Sequence, residues 1–187
     1  MDFSHYDDDA VQMAVDLINT VDNVAGTDAL QDIDGLRSFL EGYEHQWSTD
    51  DFLATSLTDS HVRRVKRLRT RLRQVFEAET AEEAAETINA ILADVSATPR
   101  VSLHSAHPHL HFEPLQAGPV RWLGAAAAMG LATVLVDQGI DRFGTCSAHD
   151  CVDAYVDTSR NRSRKHCSTT CSNRSNVAAH RRRAATS

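Results

Sequence analysis

Apolar residues recur at a helical period through the middle of the chain. Val62, Val65, Leu68, Leu72, Val75 and Phe76 fall three or four apart, which predicts a long amphipathic helix from about Ser60 to Glu79. A second helix follows, because Thr80-Ala81-Glu82-Glu83 fits a capping box and Ala84, Ile88, Ile91 and Leu92 form a stripe. Pro99 marks the break after it. Val101–His104 and Leu110–Glu113 read as two short strands joined by a turn around Pro108. Pro119 suits the first turn of another helix and Gly139 its end. Within it, the apolar run Leu123–Val136 is 14 residues long. A membrane span needs about 20, so the run predicts a buried core helix. Nearer the start, Val11, Val15, Leu17 and Ile18 enter the core on a short helix or a strand, and periodicity does not choose. Asp34 reads as the N-cap of a short helix ending near Gly42, and Glu44–Leu57 as mixed chain with loop. The expected fold is mainly α with a small antiparallel β-hairpin, an α+β body.

Charge divides the chain in two. The net charge is −7, but residues 1–140 carry −12 and residues 141–187 carry +5. That split predicts an acidic body over 1–140 and a basic module over 141–187 that meets a polyanion. An apolar content of 42% is enough for a packed core. The start, Met1–Asp9, is acidic and lacks a basic stretch followed by an apolar one, so a cytoplasmic protein with reduced thiols and no membrane partner is expected.

All four cysteines lie in the basic module. Cys146 and Cys151 are separated by four residues and Cys167 and Cys171 by three, with fifteen between the pairs. Two tight turns of this kind supply four thiolates to one tetrahedral Zn²⁺. The alternatives are disulfides, which need an oxidising compartment, and a redox pair, which prefers a two-residue spacing. A site closed by four thiolates has no open position for water, so one structural zinc and no enzyme are expected. The module's shape is expected to be treble-clef-like or zinc-ribbon-like.

The residues around the cysteines resemble a known module. Cys146-Ser147-Ala148-His149-Asp150-Cys151, Tyr155–Asn161, Arg164-Lys165-His166-Cys167 and Cys171-Ser172-Asn173-Arg174 are similar to the CGNR zinc finger, with Ser172 in place of the Gly. Upstream, Asp16-Leu17-Ile18-Asn19-Thr20 resembles the Asp-x-x-Asn-Thr segment of the bacterial ABATE domain that precedes that finger. The resemblance implies a stress-related transcription regulator whose finger binds DNA.

The residues on either side of the second cysteine pair suit that role on their own chemistry. A helix from about Ser172 to Ala184 aligns Arg174 with Arg181 and Asn173 with His180. Arg164, Lys165, Arg174, Arg181, Arg182 and Arg183 can neutralise phosphates, and Asn173 or Arg174 can touch a base edge. Zinc with four thiolates adds about −2, leaving the module near +3, so tight binding is expected only from a homodimer that presents two fingers. Two other clusters carry weaker signals. Arg63, Arg64, Lys66, Arg67, Arg69, Arg71 and Arg73 either bind phosphate or are neutralised by neighbours such as Glu77, Glu79, Glu82, Glu83 and Glu86, and internal neutralisation is the expectation. His107, His109 and His111 alternate near a turn. They define the alternative function, a metal-dependent enzyme or small-ligand binding protein with a purely structural finger.

Overall fold

The computed structural model describes residues 7–43, 56–102, 109–116 and 118–185. The core is built on three helices whose stripes the sequence shows. Helix α1 (Asp7–Ile18) settles the open choice at the start of the chain, with Met13, Ala14, Leu17 and Ile18 fully buried. Strands β1 (Val21–Asp22) and β2 (Thr27–Asp28) form a short antiparallel pair after it. Helix α2 (Ile33–Glu41) is capped by Asp32, not by Asp34 as expected: the Asp32 carboxylate accepts the Gly35 N–H at 3.0 Å. The earlier cap brings Ile33 into the helix and against the core, and leaves Asp34 in the first turn, where a negative charge suits the helix dipole.

Helix α3 (Asp59–Glu77) buries the six expected apolar residues. Helix α4 (Ala81–Val95) starts as the capping box requires, since Thr80 Oγ1 accepts the Glu83 N–H at 3.2 Å. The Glu83 carboxylate takes the N–H of Glu79 at 2.9 Å, one residue before the cap. Val95 is buried at the end of the stripe and Leu92 only partly so. Strands β3 (Ala97–Ser102) and β4 (His109–Pro114) form the expected hairpin, with Ala97 opposite Pro114 and Ser102 opposite His109. The expected break at Pro99 is not one, for Pro99 sits inside β3 opposite Phe112. A two-stranded sheet is all edge, so a residue without an N–H can lie on its unpaired side.

Helix α5 (Pro119–Gln138) runs from Pro119 to the positive-φ Gly139, as expected, and is the centre of the body. It is long and apolar enough to cross a membrane, but most of its residues are buried among α1, α3 and α4, which makes it a core helix. Small residues let the neighbours close in. A Cβ on Gly130 would lie 2.9 Å from the Val11 nitrogen of α1, and one on Gly124 would lie 2.7 Å from Val95 of α4.

A 3₁₀ turn (Ile140–Arg142) leads into β5 (Phe143–Thr145), which pairs antiparallel with β6 (Ala154–Val156). Helix α6 (Thr169–Ala185) follows, three residues earlier at its start than the sequence suggests. The body's core continues into this region. Ala154 and Val156 are buried with the residues of α1, α3 and α5, and the Phe143 ring meets Phe76 edge-on at 5.1 Å.

Candidate metal centre

The first cysteine pair lies on the turn that joins β5 to β6. Cys146 N–H donates to Asp153 O at 2.8 Å and Cys151 N–H to Ala148 O at 3.1 Å, which folds the turn so that both sulfurs face inward. The second pair is set by the start of α6. Ser168 caps that helix, its hydroxyl accepting the Cys171 N–H at 3.2 Å and its carbonyl the Ser172 N–H at 3.1 Å. Cys171 is therefore in the first helical turn and Cys167 just before it. Ser147 N–H donates to Lys165 O at 2.8 Å and ties the two halves together. One pair on a hairpin turn and one at a helix start is the treble-clef-like arrangement of the two that were expected.

The four Sγ atoms lie within 4.8 Å of one another. Cys151 and Cys167 are 3.7 Å apart and Cys167 and Cys171 3.6 Å. Sulfurs at about 2.3 Å from one tetrahedral ion would be about 3.8 Å apart, whereas a disulfide requires about 2.05 Å. All four are free thiols, and Cys146, Cys151 and Cys171 are buried. Burial pushes the Cys151 thiol up to about 12 and raises that of Cys167. Burial acts in the same sense on Cys146, but N–H groups of Ala148 and Cys167 and the adjacent thiols outweigh it and lower that thiol. Zinc takes thiolates and displaces the thiol protons on binding, and four sulfurs at this spacing are a donor set that fits it.

The surrounding residues hold the sulfurs in place. Arg174 donates from Nη2 to Cys171 Sγ at 3.5 Å and pairs with Asp150 at 2.8 Å. Arg164 lies over the Tyr155 ring, 4.9 Å from its centre. It donates to the carbonyls of Val156 at 3.1 Å, His166 at 3.0 Å and Cys167. Tyr155 OH donates back to Arg164 O at 2.7 Å. Asp157 is buried and accepts the N–H groups of Ser159 at 2.7 Å and Arg164 at 2.8 Å. Burial alone would raise its carboxyl, but these hydrogen bonds and the nearby Arg142 bring it below its ordinary value. The His166 ring hydrogen-bonds Ser175 Oγ at 3.0 Å.

The remaining residues singled out in the sequence fall in several places. Arg164 and Arg174 bind within the module, Arg164 while remaining exposed, and Lys165, Asn173, Arg181, Arg182 and Arg183 are exposed as well. His109 and His111 occupy strand positions of β4 opposite Ser102 and Arg100. Their side chains, and His107 altogether, lie outside the described residues, as do residues 44–55. The basic face of α3 is neutralised in part, but by different partners from those expected. Arg69 grips Asp28 through two bonds of 2.7 and 3.0 Å, Lys66 meets the same carboxylate at 3.3 Å, and Arg71 pairs with Asp94 at 2.6 Å.

The Asp16-x-x-Asn19-Thr20 segment has a role that sequence reasoning missed, although its pattern was visible. Asp16 accepts from Tyr43 OH at 2.5 Å and so holds the turn that follows α2. Asn19 binds the main chain of Ala154 in β6, and Thr20 accepts from Arg69 at 2.8 Å.

Family comparisons agree with this geometry. Residues 12–138 match the ABATE family, described as a putative stress-induced transcription regulator, and residues 142–184 match the CGNR zinc finger. The first match covers more than half of the chain, and the chain belongs to the ABATE family. A comparison with curated proteins finds no match. The finger family and the four converging thiols together define a single structural zinc site. When bound, the ion supplies the cross-link between the two turns.

Proposed function

We propose that the protein is a cytoplasmic DNA-binding regulator and not an enzyme, with α6 as the element that meets the duplex. The observation that carries this reading is the surface of α6. The helix is 17 residues long, and Cys171 is its one buried residue among those described. It has no apolar stripe, and among the described residues nothing buries it beyond Cys171. A helix that is polar all round is held at one end here, by the zinc turn, and offers the rest of its length to a partner. Asn173, His180, Arg181, Arg182 and Arg183 are exposed along it, and Lys165 is exposed beside its start. These side chains suit phosphates and base edges. Arg164 and Arg174 serve this function indirectly, by fixing the turns from which α6 projects.

The body is the sensing or dimerising part of this reading. A polar cleft of about 710 Å³ between α1 and the zinc module, lined by Gln12, Asp16, Gln138 and Thr158 among others, supports a signal-binding role there. A gel-shift series with zinc-loaded, full-length protein and genomic fragments at low salt tests the function. A retarded complex at or below micromolar protein is expected. No shift at that concentration removes the DNA reading and leaves a protein or small-molecule partner.

A further inference from the structure

Asn19 ends the first helix of the body, yet its carboxamide is spent on the zinc module. Nδ2 donates to Ala154 O at 2.9 Å, and Oδ1 accepts Ala154 N–H at 2.8 Å. Two antiparallel strands exchange this same pair of bonds, so Asn19 stands in for a strand beside β6. Arg73 of α3 adds a second tie. It donates to Val152 O at 2.7 Å and to Ile18 O, the end of α1, at 3.3 Å. Between these anchors, Asp153 O accepts the N–H of Cys146. Residues 152–154 follow Cys151 directly. The body therefore grips them from one side while they shape the first zinc turn on the other.

We propose that Asn19 and Arg73 are positioning residues for the zinc centre, linking zinc affinity to the folded body. The linkage holds whatever the finger binds. Zinc must order both cysteine turns, and a turn whose outgoing strand is already held loses less freedom on binding. Without Asn19, the N–H and C=O that Ala154 turns toward it lose their partners in a buried position. Linkage is reciprocal, so zinc must in turn stabilise the body.

The test measures zinc affinity of the full-length chain by competition with a chromophoric chelator, alongside thermal melts with and without metal. Asn19→Ala and Arg73→Gln should each weaken zinc binding by about 5- to 150-fold, the usual range for coupled sites. Asn19→Asp keeps the acceptor and loses the donor, so its loss should be intermediate. Ile88→Val loosens the core at α4, remote from residues 152–154, and should leave zinc affinity unchanged. Removing zinc should lower the melting midpoint of the wild-type body more than that of Asn19→Ala. Unchanged affinity in Arg73→Gln and Asn19→Ala overturns the proposal. So does an equal loss in Ile88→Val, which would show only general destabilisation. Should Asn19→Ala fail to fold, Arg73→Gln against Ile88→Val decides alone.

Discussion

Stripping the metal is expected to unwind α6 and leave the five body helices standing. Isolated helices shorter than about 12–15 residues are marginal in water, and longer ones persist mainly through a packed apolar face. Helix α6 has 17 residues but no such face, and its anchor is Cys171. Binding of a structural zinc is worth about 10 kcal/mol or more, far beyond what a few exposed alanines contribute. Metal removal thus withdraws the term that holds both turns. Residues 152–156 are different, because Ala154 and Val156 are part of the body's core and Asn19 holds the strand. The described helices would lose about a fifth of their residues, all from α6. Circular dichroism at 222 nm during chelation reads that loss. Hydrogen exchange should show amides of residues 169–185 unprotected while those of α3, α4 and α5 stay protected. If α6 keeps its protection without metal, zinc is not what organises it.

Other perturbations probe the body and the tail. Asp28→Asn should cost about 1–3 kcal/mol in denaturant titrations near neutral pH, because it breaks a two-pronged bond to Arg69. Arg69 holds the Asp28 carboxyl well below the usual carboxylate range, against the effect of burial. Its contribution is therefore complete above the unfolded value of about 3.9 and lost as pH falls toward the lower folded value, so wild-type and Asp28→Asn stabilities should converge in acid. Gly130→Ala should destabilise by about 1–3 kcal/mol, since the added methyl meets the backbone of α1, which a thermal melt will show. For DNA binding, about four contacts from Lys165, Arg181, Arg182 and Arg183 would give a log–log salt slope near −4, and Arg181→Ala should flatten it by about one.

The sequence was most legible where structure is local. Helices α3, α4 and α5 follow from spacing, capping and a proline at the first turn, and the cysteine spacing alone brought four ligands together. Choices between neighbours were harder. Asp32 and Asp34 are both good caps, and the packing of Ile33 against the core favours the earlier one. Pairings across the fold were not legible. Asn19 and Ala154 are 135 residues apart in the chain, and no local pattern marks an amide that replaces a strand. The basic face of α3 was expected to find nearby glutamates, but Arg69 and Arg71 reach Asp28 and Asp94 on other elements. For Arg164 and Arg174 the sequence shows the charge but not its direction. Their nitrogens turn to carbonyls, a sulfur and Asp150 within the module.

The central claim is that zinc shapes a module whose exposed helix binds a duplex. Fluorescence anisotropy of a labelled genomic fragment at low salt, titrated with the same protein zinc-loaded and metal-free, tests it most directly. The account predicts saturable binding by the loaded protein and at least a tenfold loss when zinc is removed, with Arg181→Ala weakening the loaded form. Equal binding with and without zinc, or none at micromolar loaded protein, would contradict it.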